Sequence, residues 1–395
     1  MSHQPAPPRQ PAPPQQPARP QQPAPPQPPA GPQPPAAPDV LTAYGWDDRV
    51  AARFTLLDVP GHVPGRVARV DRGSCLVATA DGPVRASPYT LASRRAGLDT
   101  VPATGDWVAV TDDPDEGVAI VGVVPRWSAI ARKDPDERVT VEQVLAANVD
   151  VFAVVCGLDR SLVQNRVERM LSVAWESGAL PVVVLTKADL AADLAVVVRE
   201  AREVAGVGVS VHVTSARSGE GIDELRALLL PTRTLAVIGP SGAGKSTLVN
   251  GIVGTDVQST GPVREADGRG RHTTTTRDLV RVPTGGVLLD TPGLRSLPLW
   301  DGASGVASTF ADIEEVAAGC RFRDCRHEHE PACAVRAAVA SGALAPRRLE
   351  SFHKLHRELA ALELRQDERA RREASRRFGR MTRDIGKQKP GRDRR

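Results

Sequence analysis

The spacing of apolar residues changes along the chain, and each change predicts a different kind of structure. Between residues 65 and 124, short apolar segments alternate with turn sequences such as Asp81-Gly82, which is typical of strands in a compact β-domain. This density of short strands favours a small closed barrel, with an OB-fold as the leading candidate and an unspecified β-domain as the alternative. The predicted strands are Gly65–Val70, Cys75–Ala80, Val84–Ala86, Asp106–Val110 and Val118–Val124.

From Asn148 onward, continuous apolar runs alternate with segments of helical periodicity. This alternation predicts an α/β domain, in which a parallel sheet is covered by helices on both faces. Ligands of such sheets bind outside the carboxyl ends of the strands, so residues that follow a strand are candidates for a site. The predicted strands are Val149–Val155, Leu180–Leu185, Val209–Val213, Thr234–Ile238, Val280–Val282 and Val287–Leu289, and the predicted helices are Val163–Ser177, Asp223–Leu230 and Lys245–Val253.

The two ends of the chain have compositions that do not predict a packed core. Residues 1–40 are almost wholly Pro, Gln and Ala, which predicts a disordered polyproline-II tail. This tail is either a docking strand for aromatic grooves or, by preference, a solvated extension. Residues 366–395 contain twelve Lys/Arg against five Asp/Glu, although the whole chain has a net charge of only +4. The basic end either binds RNA phosphates or remains solvated.

Hydropathy and cysteine usage indicate in which cellular compartment the protein resides. No apolar run reaches the roughly 18 residues of a membrane helix, and the N-terminus lacks the basic start and apolar stretch of a signal peptide. We therefore expect a soluble protein that does not contact membranes. Three of the five cysteines crowd together at residues 320, 325 and 333 beside histidines, which favours a metal site in a reducing, cytoplasmic compartment over a disulfide framework. Nothing suggests an obligate dimer, so we expect a monomer.

A phosphate-binding loop is predicted between the strand Thr234–Ile238 and the helix Lys245–Val253. The sequence from Gly239 to Ser246 fits the pattern G-x-x-x-x-G-K-[ST] in the strand–loop–helix context that it requires. Backbone N–H groups of such a loop turn toward phosphate oxygens, Lys245 reaches the β- and γ-phosphates, and the Ser246 hydroxyl binds Mg²⁺. The predicted contacts to the nucleotide are Gly239, Pro240, Ser241, Gly242, Ala243, Gly244, Lys245, Ser246 and Thr247.

A second phosphate-side segment, Asp290-Thr291-Pro292-Gly293, ends the strand Val287–Leu289. A carboxylate at Asp290 can hold Mg²⁺ through water, and the Gly293 amide can contact the γ-phosphate. The pattern D-x-P-G alone is a common turn. Combined with the phosphate loop, it predicts hydrolysis of a nucleoside triphosphate in which Lys245 and Asp290 are catalytic.

Two further segments predict that the base is guanine. In Thr186-Lys187-Ala188-Asp189, the Asp189 carboxylate can accept both N1–H and the exocyclic amino group of guanine, which adenine does not offer. The apolar stem of Lys187 can lie along the base. After the next strand, Ser215 and Ala216 can present a backbone amide to the guanine O6. Each segment alone is also a common capping turn, whereas together they favour guanine.

The order of these segments is unusual, because the base-reading segments precede the phosphate loop. A parallel sheet can be cut and rejoined while its site is kept, because chain termini often lie close together. In this order the Asp290–Gly293 segment leads directly into the C-terminal region. A loop that is sensitive to the γ-phosphate would then act directly on that region.

This arrangement resembles the circularly permuted, ribosome small-subunit-dependent GTPases of the RsgA (YjeQ/EngC) family. The resemblance extends from about Gly65 to His356. It implies an OB-fold over residues 41–135, a permuted GTPase domain over 136–302 and a zinc-binding helical domain over 303–365. The segments that carry it are Gly105-Asp106-Trp107-Val108, the base-reading segments, the phosphate loop, Gly268–Thr275, Asp290–Gly293 and a Cys-x4-Cys-x-His-x5-Cys cluster.

The resemblance also implies a function and several residue roles. The family's activity is hydrolysis of GTP to GDP and phosphate as a checkpoint in late maturation of the 30S subunit, with the subunit and its 16S rRNA as partners. Residues Gly268–Thr276 would form switch I, and one of Thr273–Thr275, taken here as Thr274, would complete the Mg²⁺ shell. The sequence departs from the family at Thr186, where the guanine motif usually has Asn.

The cysteine cluster predicts a closed tetrahedral Zn²⁺ site made of three thiolates and one imidazole. His327, His329 and His353 are candidates for the imidazole, and the family spacing selects His327. One structural zinc ion per chain would then supply most of the folding energy of a small domain. The predicted ligands are Cys320, Cys325, His327 and Cys333.

The predicted site lacks the usual water-positioning glutamine. Many GTPases place a glutamine after the glycine of the D-x-x-G segment, but this chain has Leu294 there, which predicts slow intrinsic hydrolysis. His272 is the candidate for positioning water, and the alternative is a solvent-facing histidine that contacts RNA or nothing. Two other functions remain as alternatives: a P-loop ATPase or kinase, and an RNA-binding module with a structural nucleotide.

A stripe of apolar residues at helical spacing favours core packing over a partner groove; it consists of Leu349, Phe352, Leu355, Leu359 and Leu362.

Overall fold

The computed structural model describes residues 40–133, 142–255, 278–290 and 303–361, together with residue 364. Strands within these ranges are β1 Val63–Asp71, β2 Ser74–Thr79, β3 Gly82–Ala86, β4 Trp107–Asp113, β5 Gly117–Val123, β6 Ala129–Lys133, β7 Glu142–Ala147, β8 Val151–Gly157, β9 Leu180–Thr186, β10 Ser210–Val213, β11 Thr234–Ile238, β12 Asp278–Arg281 and β13 Val287–Asp290. Helices are α1 Val40–Ala43, α2 Asp48–Phe54, α3 Leu91–Arg95, α4 Gln164–Glu176, α5 Leu194–Ala205, α6 Ile222–Ala227, α7 Lys245–Val253, α8 Ala303–Thr309, α9 Ala311–Ala317, α10 Ala334–Ala340 and α11 over residues 346–361.

A twisted sheet forms the centre of the fold, and its strand order is β10-β9-β8-β11-β13-β12. The first five strands are parallel, with Val154 opposite Ile238 and Leu235 opposite Leu288. The prediction that all six strands are parallel was wrong at β12, which forms an antiparallel hairpin with β13. Only a short turn connects β12 to β13, and a parallel neighbour needs a crossover of a dozen or more residues.

Helices cover both faces of this sheet, as the alternation of apolar runs predicted. Side chains of α4 and α5 pack on one face, where Phe152, Leu171 and Leu185 are completely buried. Side chains of α6 and α7 pack on the other face around Leu225, Leu235 and Ile252. Six consecutive residues of β8 are buried, which explains why its sequence is continuously apolar.

Strands β1 to β5 form the predicted barrel. The antiparallel pairs β1–β2, β2–β3, β1–β4 and β4–β5, together with a parallel bridge between Ser87 and Ala119, close it in the order 1-2-3-5-4-1. This closure agrees with the predicted OB-fold. A separate apolar core fills the barrel around Val67, Val108 and Ile120.

A buried arginine fastens the barrel to the sheet. The completely buried Arg66 of β1 donates hydrogen bonds to the backbone oxygens of Tyr44, Gly105 and Asn148 and to Thr234 Oγ1 at 2.7 Å, where β11 begins. Burial lowers the pKa of Arg66 to about 10, so the guanidinium remains charged at neutral pH. Strand β1 also pairs with β12, so the barrel and the sheet are hydrogen-bonded to each other.

The Gly105-Asp106-Trp107-Val108 segment has a structural role in the barrel. Asp106 is fully buried, accepts a hydrogen bond from the Ala103 N–H, and pairs with Arg126 at 2.7 Å. Burial raises the pKa of Asp106, while the Arg126 guanidinium opposes that rise. Trp107 is fully buried against Trp46. These contacts hold the start of β4 in place.

Several elements were not predicted from the sequence, among them the short helices α1, α2 and α3, helix α5 and the antiparallel hairpin β6–β7. The hairpin spans the predicted domain boundary at residue 135, because β6 precedes that position and β7 follows it.

Helices α8 to α11 form a C-terminal unit with its own core. Val306, Phe310 and Phe352 are buried together there. The prediction that the apolar stripe is core is confirmed for Leu349, Phe352, Leu355 and Leu359, whereas Leu362 lies outside the described residues. Among the helices of the described ranges, none combines the length and the apolar character that a bilayer crossing requires.

The C-terminal unit is fastened to helix α4 by buried charges. Arg348 of α11 contacts Glu168 Oε1 of α4 at 3.2 Å and Asp312 of α9 at 3.0 Å, and it donates to the Thr309 oxygen at 2.6 Å. Glu168 is completely buried and also contacts Arg347 at 3.4 Å, so removing both arginines would leave an uncompensated charge at a cost of about 3–5 kcal/mol. Helix α4 therefore connects the sheet rigidly to the C-terminal unit.

Candidate functional site

A crevice lies at the point where the strand order of the sheet reverses. Strands β8 and β11 are adjacent and parallel, but the chain continues from β8 to β9 and β10 on one side and from β11 to the β12–β13 hairpin on the other. Connections that diverge in this way leave a crevice at the carboxyl ends of the two strands. A cavity of about 80 Å³ lies here, between the last residues of β8 with the segment that follows them, up to Val163, and residues 240–243 that follow β11.

The loop after β11 has a backbone that requires its glycines. A side chain at Gly239 would place its Cβ 2.5 Å from the Val155 oxygen of β8, which is a clash with backbone. Gly242 and Gly244 have φ values of 78° and 85°, in the left-handed region that favours glycine. The loop therefore lies close against β8 and turns sharply into α7.

The start of helix α7 is open to an anion. Its N-cap residue is Gly244, which provides no side-chain hydrogen bond to the first N–H groups of the helix. Such groups and the helix dipole attract phosphate. Lys245 Nζ folds back over the loop and donates to the Gly239 oxygen at 2.9 Å and the Pro240 oxygen at 2.7 Å. Ser246 follows at the second helical position, half-buried.

The two predicted base-reading segments are brought together at the ends of β9 and β10. These strands are adjacent and parallel, and the Ser215 hydroxyl donates to Asp189 Oδ1 at 2.7 Å. This bond lowers the pKa of Asp189 below its usual value, so the exposed side chain is a carboxylate at neutral pH. Ser215 is buried and Ala216 is exposed beside it. An anionic hydrogen-bond acceptor and an exposed stretch of backbone therefore lie side by side.

Direct hydrogen bonds connect the predicted base-reading segment to the predicted phosphate loop. The Thr186 hydroxyl donates to the Ala243 oxygen at 2.6 Å, and Lys187 Nζ donates to the Gly242 oxygen at 2.7 Å. Lys187 has a φ of 59°, which turns its side chain back across the loop. Thr186 thus contacts the loop through its hydroxyl, although it lacks the side-chain amide of the asparagine that usually stands at this position of the guanine motif.

Asp159 belongs to this constellation and was missed in the sequence. Its Oδ2 lies 2.8 Å from Lys187 Nζ, and the hydrogen bond from Lys187 lowers the pKa of Asp159. The carboxylate therefore fixes the Lys187 ammonium against the loop. An acidic residue just after the buried strand β8 is the signal that could have identified it, because β8 borders the reversal of strand order.

Several predicted site residues lie outside the described residues. These are His272, Thr273, Thr274, Thr275, Gly293 and Leu294. The backbone of β13 ends at Asp290, beside the end of β11, while its side chain lies outside the described set. The structure thus leaves the roles of these residues as predictions.

The four predicted zinc ligands lie together in the C-terminal unit. The donor atoms of Cys320, Cys325, His327 and Cys333 all lie within 4.8 Å of one another. His327 Nδ1 is 3.4 Å from Cys333 Sγ and 3.7 Å from Cys320 Sγ, and the two sulfurs are 3.9 Å apart. Tetrahedral Zn²⁺ with standard bond lengths needs separations of about 3.5–3.8 Å between its ligands. The cluster therefore fits one zinc ion.

The surroundings of the cluster favour a thiolate at Cys320, whereas burial raises the pKa of the Cys325 thiol to about 11. Burial alone would raise the pKa of Cys320, but backbone N–H groups of Val335 and Ala334 hold it below its usual value. Cys333 also caps helix α10 by accepting from the Arg336 N–H at 3.5 Å. Of the rival histidines, His353 instead contacts the Arg326 oxygen at 3.0 Å. The geometry brings His327 to the sulfurs.

Comparison with known proteins identifies related sequences over most of the chain. Residues 123–300 match the family model described as RsgA GTPase. The Small ribosomal subunit biogenesis GTPase RsgA of Streptomyces coelicolor is 48% identical over 344 residues, which cover 86% of this chain and 92% of that protein. The protein of the same name from Opitutus terrae is 44% identical and covers 81% of this chain and 90% of its own length.

Solved structures share the fold. The crystal structure of YjeQ from Thermotoga maritima matches with a TM-score of 0.56 and 26% identity, over 76% of this chain and 99% of that one. The structure of YloQ, described as a circularly permuted GTPase, matches with a TM-score of 0.58 and 21% identity, over 76% of this chain and 96% of that one. The permuted order of strands and loops is therefore shared with known proteins.

Proposed function

This chain belongs to the RsgA family of GTPases, and on that premise we propose that it hydrolyses GTP on the small ribosomal subunit, as a checkpoint in late 30S maturation. The family relationship makes it a GTPase that serves biogenesis of this subunit. The observation that carries the finer proposal is the pair of hydrogen bonds from Thr186 and Lys187 to the loop after β11. They support a single crevice in which the Asp189 carboxylate would read the base and the loop would bind the phosphates.

The phosphates of GTP bind the loop from Gly239 to Ser246 and the start of α7. Lys245 leaves its carbonyl partners for the β- and γ-phosphates, because phosphate oxygens carry more negative charge than carbonyl oxygens. The Ser246 hydroxyl, Thr274 and, through water, Asp290 would hold Mg²⁺, which would offset the negative charge of the phosphates. The open N-terminus of α7 supports this assignment.

The guanine base binds between Lys187 and the Ser215–Ala216 segment. Asp189 accepts the N1–H and exocyclic amino groups, and its lowered pKa keeps it able to accept both. Thr186 and Asp159 act indirectly on the base, because they hold the base-reading segment and Lys187 against the phosphate loop. This arrangement disfavours the ATPase and kinase alternatives, because adenine offers no matching donors.

Hydrolysis is slow in the isolated protein and accelerates on the subunit. Leu294 has no group that can orient water, so the attacking water needs another residue. We propose that His272 takes this role when the protein is bound to the subunit. The alternative is that His272 contacts RNA or nothing, in which case His272→Ala leaves subunit-stimulated turnover unchanged.

The zinc ion is structural. Four protein ligands fill a tetrahedral shell and leave no position for substrate. The ion would hold the loop between α9 and α10, which contributes few residues to the core of the C-terminal unit. The barrel, this unit and the basic C-terminal residues are proposed to contact 16S rRNA.

Turnover measurements with and without 30S subunits test the proposed function. We expect GTP turnover to rise at least about tenfold when 30S subunits are added, because the bound subunit would position the attacking water that Leu294 cannot orient. ATP turnover should stay at background in both conditions. Equal turnover of ATP would support the ATPase alternative, and bound nucleotide without any turnover would support the RNA-binding module.

A further inference from the structure

A basic groove separates the start of helix α4 from helix α11. Its cavity volume is about 560 Å³, and its walls include Val163 and Asn165 on one side and Arg347, Lys354 and Arg357 on the other. A hydrogen bond of 2.7 Å from the Ser351 hydroxyl of α11 to Asn165 Oδ1 of α4 joins the two sides of the groove. A narrower extension of about 220 Å³ continues along α4 past Arg166.

The charges in this α4–α11 groove are mostly cationic, and the acidic ones are largely occupied. Glu168 is buried against Arg347 and Arg348, and Glu358 pairs with Arg169. Glu350 is the remaining acidic residue in the wall. Three exposed cations, Arg166, Lys354 and Arg357, have no hydrogen-bond or ion-pair partner among the described residues. The groove therefore presents positive charge that the protein itself does not neutralise.

The spacing of these cations suits a polymer better than a small anion. Arg347, Lys354 and Arg357 occupy positions i, i+7 and i+10 of α11, so they lie along one side of the helix over about 15 Å. A small anion needs cations that converge on one point. A stripe of this length instead follows several successive charges, as the phosphates of a nucleic acid provide.

We infer that the α4–α11 groove binds the phosphodiester backbone of RNA, and this inference rests on the proposed function, which places the protein on an RNA-rich particle. Leu162 and Val163 line both this groove and the crevice beside the phosphate loop. An RNA strand in the groove therefore lies against the segment that forms one wall of the nucleotide crevice. A single loop therefore separates the proposed RNA site from the nucleotide crevice.

Substitution of two exposed cations tests the groove. In Lys354→Gln/Arg357→Gln, we expect the 30S concentration for half-maximal stimulation of GTP turnover to rise at least about tenfold at 0.1 M salt, because two phosphate contacts are lost. The dependence of log affinity on log salt should become shallower by roughly two. Turnover without subunits and the maximal stimulated rate should stay unchanged. The double variant Arg199→Gln/Arg202→Gln on α5 removes the same charge from another surface and should behave as wild type.

Titration of protein-free 16S rRNA separates the possible partners. The groove variant should lose affinity for this RNA as it does for the subunit. A loss with 30S subunits but not with the RNA would overturn the inference in favour of an acidic protein surface. Equal effects of the α5 control would also overturn it. If 30S subunits do not stimulate the wild type, the proposed function fails, and the RNA titration still decides the groove.

Discussion

Asp189→Asn should weaken GTP binding by roughly two to four orders of magnitude and allow xanthosine triphosphate to bind. The carboxylate of Asp189 is exposed and ionised, and its two hydrogen bonds from guanine are each charge-assisted, with about 1.5–3 kcal/mol apiece. An asparagine accepts from N1–H but meets the exocyclic amino group with its own N–H. Xanthine carries an oxygen there and matches the amide. Competition binding with GTP and xanthosine triphosphate measures both effects.

A nearby aspartate provides the control for this variant. Asp193 lies four residues further along, and its side chain caps helix α5 by accepting from the Val196 N–H at 3.0 Å. Asparagine caps helices about as well as aspartate, so Asp193→Asn should leave nucleotide binding and stability unchanged. A preference for GTP that survives in Asp189→Asn would remove this carboxylate from base recognition.

His327→Ala should lose the zinc ion, with retained zinc falling from about one ion per chain to less than about a tenth of that. The imidazole lies within 3.4–3.7 Å of two cluster sulfurs, so its loss opens the tetrahedral shell. The loop between α9 and α10 should then become sensitive to proteases, because the metal supplies energy that the small core does not. Metal analysis after gel filtration and limited proteolysis measure the two effects.

His329→Ala is the matched control, because His329 is exposed and stands two residues away. It should keep its zinc and its protease resistance. Zinc retained at wild-type level in His327→Ala would contradict the assigned ligand set, and zinc lost equally in both variants would point to general damage of the loop.

The sequence predicted the backbone around the candidate nucleotide site best where residue chemistry restricts it. Strand β11 and helix α7 were predicted to the residue, because an apolar run ends at Gly239 and a lysine follows the left-handed Gly244. The ligand cluster was equally visible, because three cysteines at this density are rarely found without metal. In both cases the local sequence allows few alternative structures.

Other features depend on tertiary contacts that the local sequence does not encode. A short apolar run such as β12 does not reveal its direction, which the tight connection to β13 decides. Helix α5 was not predicted because Val196, Val197 and Val198 are consecutive β-branched residues, which are atypical of a helix. Tertiary packing overrides that preference in the folded protein. Asp159 carries no motif, and only the adjacency of β8 and β9 brings it to Lys187.

Calorimetric titration of the wild-type protein with GDP and with ADP tests the central claim most directly, namely that one crevice at the reversal of strand order binds phosphates and reads guanine. The account predicts that GDP binds at least about a hundredfold more tightly than ADP, because adenine leaves the Asp189 carboxylate without a donor. Comparable affinities for the two nucleotides would contradict it.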